Sequence, residues 1–196
     1  ERLMDFLLRH PAYAMCGSNF VSFLDNGKVV GRSQLSTECS EIREKIRTQS
    51  QFHGPTVVIR KDVIDEVGGF YRYFTVAEDI DLTMRITERF DVCNLPGYYY
   101  YYRHNPRSLT NDVNGYHVER AANTRLLYHL AEERRANGGI DSLMAGNLDK
   151  VKDLVEQFRK EAERNADDVM RQGVYRLIVM SMFRNAVVLS ARLVRQ

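Results

Sequence analysis

The feature that most constrains this chain is a change of texture near residue 110. All four prolines (Pro11, Pro55, Pro96 and Pro106) fall before it, among short runs that alternate between strand-like and helix-like patterns. Beyond it there is no proline, and the sequence reads as helix almost throughout. Proline removes a backbone donor and clashes with the preceding turn, so a proline-free stretch is free to form long helices. Alternating strands and helices argue a layered α/β sheet. The expected division is an α/β region over 1–110 and an α-helical extension over 111–196.

Local signals give the expected elements. Glu1 to Arg9 sets Leu3, Phe6 and Leu7 on one helical face and stops before Pro11. Ala14 to Leu24 reads as a strand, turned through Asp25-Asn26-Gly27-Lys28 into Val29-Val30 as a hairpin in which both central residues tolerate φ > 0. Thr37 is placed to cap a helix over 38–49. Thr56 to Ile59 reads as a buried strand, and Lys61 to Val67 as a short helix ended by Gly68-Gly69. A helix over Glu78–Arg89 precedes strands at Val92–Leu95 and Tyr98–Tyr102. Helices over 115–136, 147–170 and 174–195 complete the chain, the first ending at Asn137-Gly138-Gly139. Five consecutive tyrosines, Tyr98–Tyr102, alternate sides in a strand, so two or three share a face. A partly buried strand is the simplest account of them.

Composition excludes several classes. Hydrophobic residues make up 44% and charged residues 28%, enough for a core and a solvated surface. Mean hydropathy is −0.41, and no window approaches the ~18 apolar residues of a membrane span. The net charge of +2 is too balanced to argue for a nucleic-acid partner. Cys16, Cys39 and Cys93 form no CxxC pair, which argues against a zinc site or a disulfide framework and for a reducing, cytoplasmic setting. Glu1 opens a charged helical pattern, not an apolar run, so no signal peptide is expected. The first residue is not Met, and the expectation is a piece of a longer chain.

The chemistry-bearing segment runs from His53 to Thr110. It holds Gly54-Pro55-Thr56-Val57-Val58-Ile59-Arg60, then Val67-Gly68-Gly69-Phe70, then Ala77-Glu78-Asp79-Ile80-Asp81-Leu82-Thr83-Met84-Arg85. Tyr101-Tyr102-Arg103-His104-Asn105-Pro106-Arg107-Ser108-Leu109-Thr110 closes it. Thr75-x-x-Glu78 fits a capping box, which would leave Asp79 in the first helical turn. Asp79-Ile80-Asp81 spells DxD, but residues two apart on a helix point to nearly opposite sides and cannot readily clamp one metal. Asp81 and Arg85 fit an i,i+4 ion pair. His10, His117 and His129 have no spaced partners, whereas His53 lies beside the segment's small residues.

In this order and spacing, the pieces resemble the second half of a family 2 glycosyltransferase with the GT-A fold. The resemblance covers Glu1 to about Thr110. It implies a partial GT-A-like nucleotide-diphospho-sugar transferase fold, donor-binding half absent, with an α-helical C-terminal extension. The implied activity is inverting transfer from a nucleotide-sugar donor to a hydroxyl of a carbohydrate or lipid-linked acceptor, in surface polysaccharide or glycolipid synthesis. Asp79 matches the family's general base, and Glu78 its companion in the Glu-Asp pair. His53, Gly54 and Thr56 would line the sugar or acceptor pocket, and Arg103 and His104 would meet the diphosphate. A family His that helps hold the metal or pyrophosphate falls at Asn105 here, with His104 one place early.

The resemblance also implies a divalent metal (Mg or Mn), held mainly by a DxD loop that this sequence lacks, as it lacks a Gly-rich phosphate loop. The expectation is therefore that the 196 residues alone transfer no sugar. The alternative reading is a non-catalytic module that binds the acceptor or docks on a membrane or partner. From Arg171 onward the chain has five arginines and no acid. Its last helix could pack internally, lie on the anionic inner face of a membrane through 174–196, or pair with a second copy.

Overall fold

A computed structural model describes residues 1–104 and 116–165. The chain divides into two compact units: one formed by Glu1–Phe23 and Gly31–Tyr102, the other by Leu24–Val30 and the chain from Arg103 onward. The architecture is mixed α/β, a four-stranded mixed sheet with helices, together with a carboxy-terminal helical pair.

The chain begins with α1 (Arg2–Arg9) and β1 (Tyr13–Phe23), the strand with which all the others pair. The expected face of α1 is the buried one: Leu7 is buried against Cys16 and Cys93, with Leu3 and Phe6 packed beside it. β2 (Val29–Arg32) returns antiparallel, with Ser33 N donating to Phe20 O at 3.0 Å. Its turn differs from the expected hairpin. Gly27 takes φ of 80° while Asn26 keeps a negative φ, and Gly27 N donates to Leu24 O as Leu24 N donates to Lys28 O. This is a three-residue loop with one left-handed position, and the Asn26 carboxamide accepts from Lys28 N at 3.0 Å to brace it.

The helix expected over 38–49 is shorter, α2 (Cys39–Lys45), and its N-cap is Glu38 without a side-chain bond, so Thr37 is not the cap. The strand expected from Thr56 begins later. Gly54–Thr56 is a turn of 3₁₀ helix, and β3 is only Val58–Ile59, antiparallel to β1 with Met15 opposite Ile59. Pro55 explains the turn, because its fixed φ suits the first turn of a helix, where its missing N–H has no partner to lose. α3 (Lys61–Glu66) and α4 (Glu78–Arg89) fall where the sequence puts them.

The two strands expected at 92–102 are one, β4 (Asp91–Arg103), which runs through Pro96 and Gly97. Pro96 contributes its carbonyl, which accepts from the Asn19 amide at 3.3 Å. Cys16 meets Cys93 and Asn19 meets Pro96 at the same separation of 77 residues, so β4 runs parallel to β1.

In the second unit, α5 (Tyr116–Ala136) and α6 (Leu148–Arg164) pack antiparallel. Leu126, Leu127, Leu130 and Ala131 of α5 are buried with Val151, Val155 and Phe158 of α6. Arg159 pairs with Glu119 at 2.7 Å, and Arg125 with Glu161 at 2.5 Å, across the two helices. Gly138 and Gly139, both at positive φ, end α5 as expected. The expected helix over 174–195 lies outside the described residues. Among the described residues, no helix is long and apolar enough to cross a membrane.

Candidate active site around Asp79

α4 starts in an unusual way. Its N-cap is Ala77, held at φ 66° and ψ 18° with no side-chain cap bond, and Thr75 is exposed. The capping box read from Thr75 and Glu78 is therefore not formed. Among the described residues, Ala77 is the one non-glycine with positive φ. A left-handed alanine costs about 1–2 kcal/mol and persists only where the surroundings enforce it.

Arg85 and Asp81, both 1% exposed, form the expected i,i+4 pair at 2.7 Å. The same guanidinium donates to the carbonyls of Val67 at 2.5 Å and Gly69 at 2.7 Å, and lies 3.9 Å over the Tyr71 ring. Arg85 thus ties α4 to the Gly68-Gly69 turn. That commits Asp81 to structure and leaves Asp79 as the half-buried carboxylate at the helix start.

Asp79 Oδ1 accepts from the backbone N–H of Ile80 at 2.9 Å. Its other oxygen faces Gly54: a Cβ on Gly54 would stand 2.7 Å from Asp79 Oδ2. A side chain at position 54 would have to push that oxygen aside, so glycine is what permits the close approach. Residues 53–56 are themselves held firmly. Thr56 is buried, and both its backbone N–H and its hydroxyl donate to the His53 carbonyl, at 2.7 and 2.8 Å. Thr56 therefore locks the turn, with its hydroxyl bonded to backbone.

His53 joins Asp79 and Gly54 in the same unit. Its ring stacks on Phe20 at 4.4 Å and meets Tyr102 edge-on at 5.1 Å. Its Nε2 is buried without a hydrogen-bond partner. Burial pushes the imidazole below its ordinary pKa, against the opposing pull of the Asp79 charge. The neutral ring is thus the favoured form at neutral pH.

Glu78 is exposed in the first turn of α4. Arg103 and His104 belong to the second unit, where Arg103 makes an exposed 3.9 Å ion pair with Asp25 and His104 is buried. Asn105 lies outside the described residues. Among the described residues no three His, Cys, Asp or Glu side chains converge as a metal would require. The resemblance puts that metal mainly on a DxD loop that this sequence lacks, and the described residues offer the half-buried Asp79 carboxylate beside Gly54.

Sequence reasoning missed two contributors. Asn94 is buried, and its amide donates to the carbonyls of Ser36 and Gln51, both at 2.9 Å, fixing the approach to His53. Phe20 supplies the ring beneath His53. An asparagine inside an otherwise apolar strand was the available signal for the first; nothing local marks the second. Compared with known proteins, the sequence matches no family model and no curated protein.

Proposed function

We propose that this chain is the acceptor side of an inverting, GT-A-like family 2 glycosyltransferase in which Asp79 is the general base. The observation that carries the reading is the approach of the Asp79 carboxylate to Gly54, at the start of a helix whose N-cap is strained. With Oδ1 held by the Ile80 N–H, Oδ2 is the oxygen that takes the proton of the acceptor hydroxyl. As that proton moves, the acceptor oxygen bonds to the anomeric carbon. The bond from that carbon to the nucleoside diphosphate breaks on the opposite side, which inverts the centre.

Donor binding, and the metal that offsets charge on the departing diphosphate, fall to sequence outside these 196 residues. The acceptor is a carbohydrate or lipid-linked glycan handled on the cytoplasmic side, in the assembly of surface polysaccharide or glycolipid. The test uses a protein that joins this chain to the coding sequence immediately upstream of Glu1. Asp79→Asn should lower transfer by about 10³-fold, within the range for loss of a general base, with thermal stability unchanged. Full turnover in the folded variant would overturn the assignment. Donor-dependent release of nucleoside diphosphate by the 196 residues alone would refute the division of labour.

A further inference from the structure

Four half-buried aromatic rings gather around His53, which precedes Gly54 and feels the Asp79 charge: His53 itself, Phe20 from β1, and Tyr100 and Tyr102 from β4. Tyr100 and Tyr102 are two apart and share one face of the strand, while Tyr99 and Tyr101 on the other face are exposed. Phe20 and His53 stack at 4.4 Å and 27°. Tyr102 stands edge-on to both, at 5.1 Å from His53 and 6.4 Å from Phe20, and Tyr100 lies 6.4 Å from His53. Edge-on packing turns π-faces and ring edges in different directions, so the group presents mixed aromatic surface next to a carboxylate.

We infer that this cluster is a platform for the pyranose ring of a saccharide acceptor, which stacks its C–H face on the accessible part of the rings while a hydroxyl reaches Asp79. The inference rests on the reading of Asp79 as the base and specifies what its acceptor pocket takes. Three features select this ligand. The C–H groups on one face of a pyranose are polarised by the neighbouring oxygens and are attracted to the negative face of an aromatic ring. A hydroxyl has a proton to donate, so it suits a carboxylate, which accepts. The rings also touch one another, which leaves no gap of the size an organic cation needs between the walls of an aromatic cage.

The test needs neither donor nor turnover. Saturation-transfer NMR on the 196-residue chain, with methyl β-D-glucopyranoside and methyl β-D-galactopyranoside as probes and uridine as a third, should show transfer to the C–H protons of a glycoside. Phe20→Leu keeps apolar bulk but removes the aromatic face, and should weaken that binding about fivefold. Tyr102→Leu serves as the second variant should Phe20→Leu fail to fold, with circular dichroism reporting the fold of each. His53→Phe keeps the stack and removes the nitrogen, and should weaken binding by less than Phe20→Leu does. Absence of transfer to both glycosides overturns the inference. So does binding that is indifferent to loss of the aromatic face in a folded variant, or binding of uridine in place of the glycosides. Because binding is read without catalysis, a failure here leaves the role of Asp79 to the transfer assay, and a failure there leaves the platform standing.

Discussion

Each of the two units carries a buried arginine–aspartate pair, and the settings of the two pairs differ. In the second unit Arg134 meets Asp141 at 2.5 Å, with the side chains 4% and 0% exposed. Among the described residues, the acids around it are bonded. Asp141 Oδ1 accepts from Met144 N at 2.8 Å, and the neighbouring Glu133 accepts from Ser142 N, the Ser142 hydroxyl and Lys150. Burial alone would raise the Glu133 carboxyl, but these partners hold it down to about 2. In the first unit the Arg85–Asp81 pair is just as buried, yet it lies one turn from a left-handed alanine, in a unit that also holds a histidine nitrogen with no partner. The contrast teaches that a buried ion pair is in itself a structural clamp. What the first unit adds is strain and unmet polarity, and these single out its region for the function proposed.

The largest effect expected comes from breaking the clamps. Arg85→Ala or Arg134→Ala leaves an aspartate buried without its partner and should cost about 3–5 kcal/mol in urea unfolding. Hydrogen exchange should then show the loss of protection centred on the Gly68-Gly69 turn for Arg85→Ala and on the α5–α6 connection for Arg134→Ala. Similar small losses for both would mean that neither pair holds its region together.

Gly54→Ala tests the site and not the scaffold. The new Cβ would press on Asp79 Oδ2, and displacing that oxygen should lower transfer by the joined enzyme about a hundredfold. A variant with normal transfer would detach Gly54 from the placement of the base.

Ala77→Gly relieves the left-handed strain and should raise stability by up to about 1 kcal/mol, read as a higher Tm. The sharper version of the comparison adds that the relaxed variant loses activity as it gains stability. Gain in both would make the strain incidental.

The smallest expected effect is a pH dependence. His53 is held below its ordinary value of 6.5 in the folded chain. Below about that pH the unfolded chain binds a proton that the folded chain resists, so stability falls as pH drops through 6.5 and levels off below the folded value. His53→Phe should reduce that slope by at most one proton, measured by urea unfolding between pH 5 and pH 8.

Much of the frame was legible in the residues. The bounds of α4, the Asp81–Arg85 pair and the glycine stops after α3 and α5 depend on neighbours within one helical turn, which spacing alone reports. The misreadings share another cause. Thr75 and Thr37 satisfy the pattern of a cap, but whether a cap forms depends on where the chain arrives from, and that is set by distant contacts. Pro96 and Gly97 argue a break in the strand, and the parallel pairing with β1 carries the strand through them.

The same division holds for the site. The sequence by itself determined that an aspartate stands in the first turn of a helix, that a glycine lies some 25 residues before it, and that tyrosines alternate along a strand. These follow from residue identity and local periodicity. Only the tertiary structure decided that the glycine abuts the carboxylate, that Ala77 is forced left-handed, and that Phe20, His53 and Tyr102 come together. A local pattern fixes which way a side chain faces on its own element. What it meets there depends on how separate elements are packed, and strained backbone is held only by that packing.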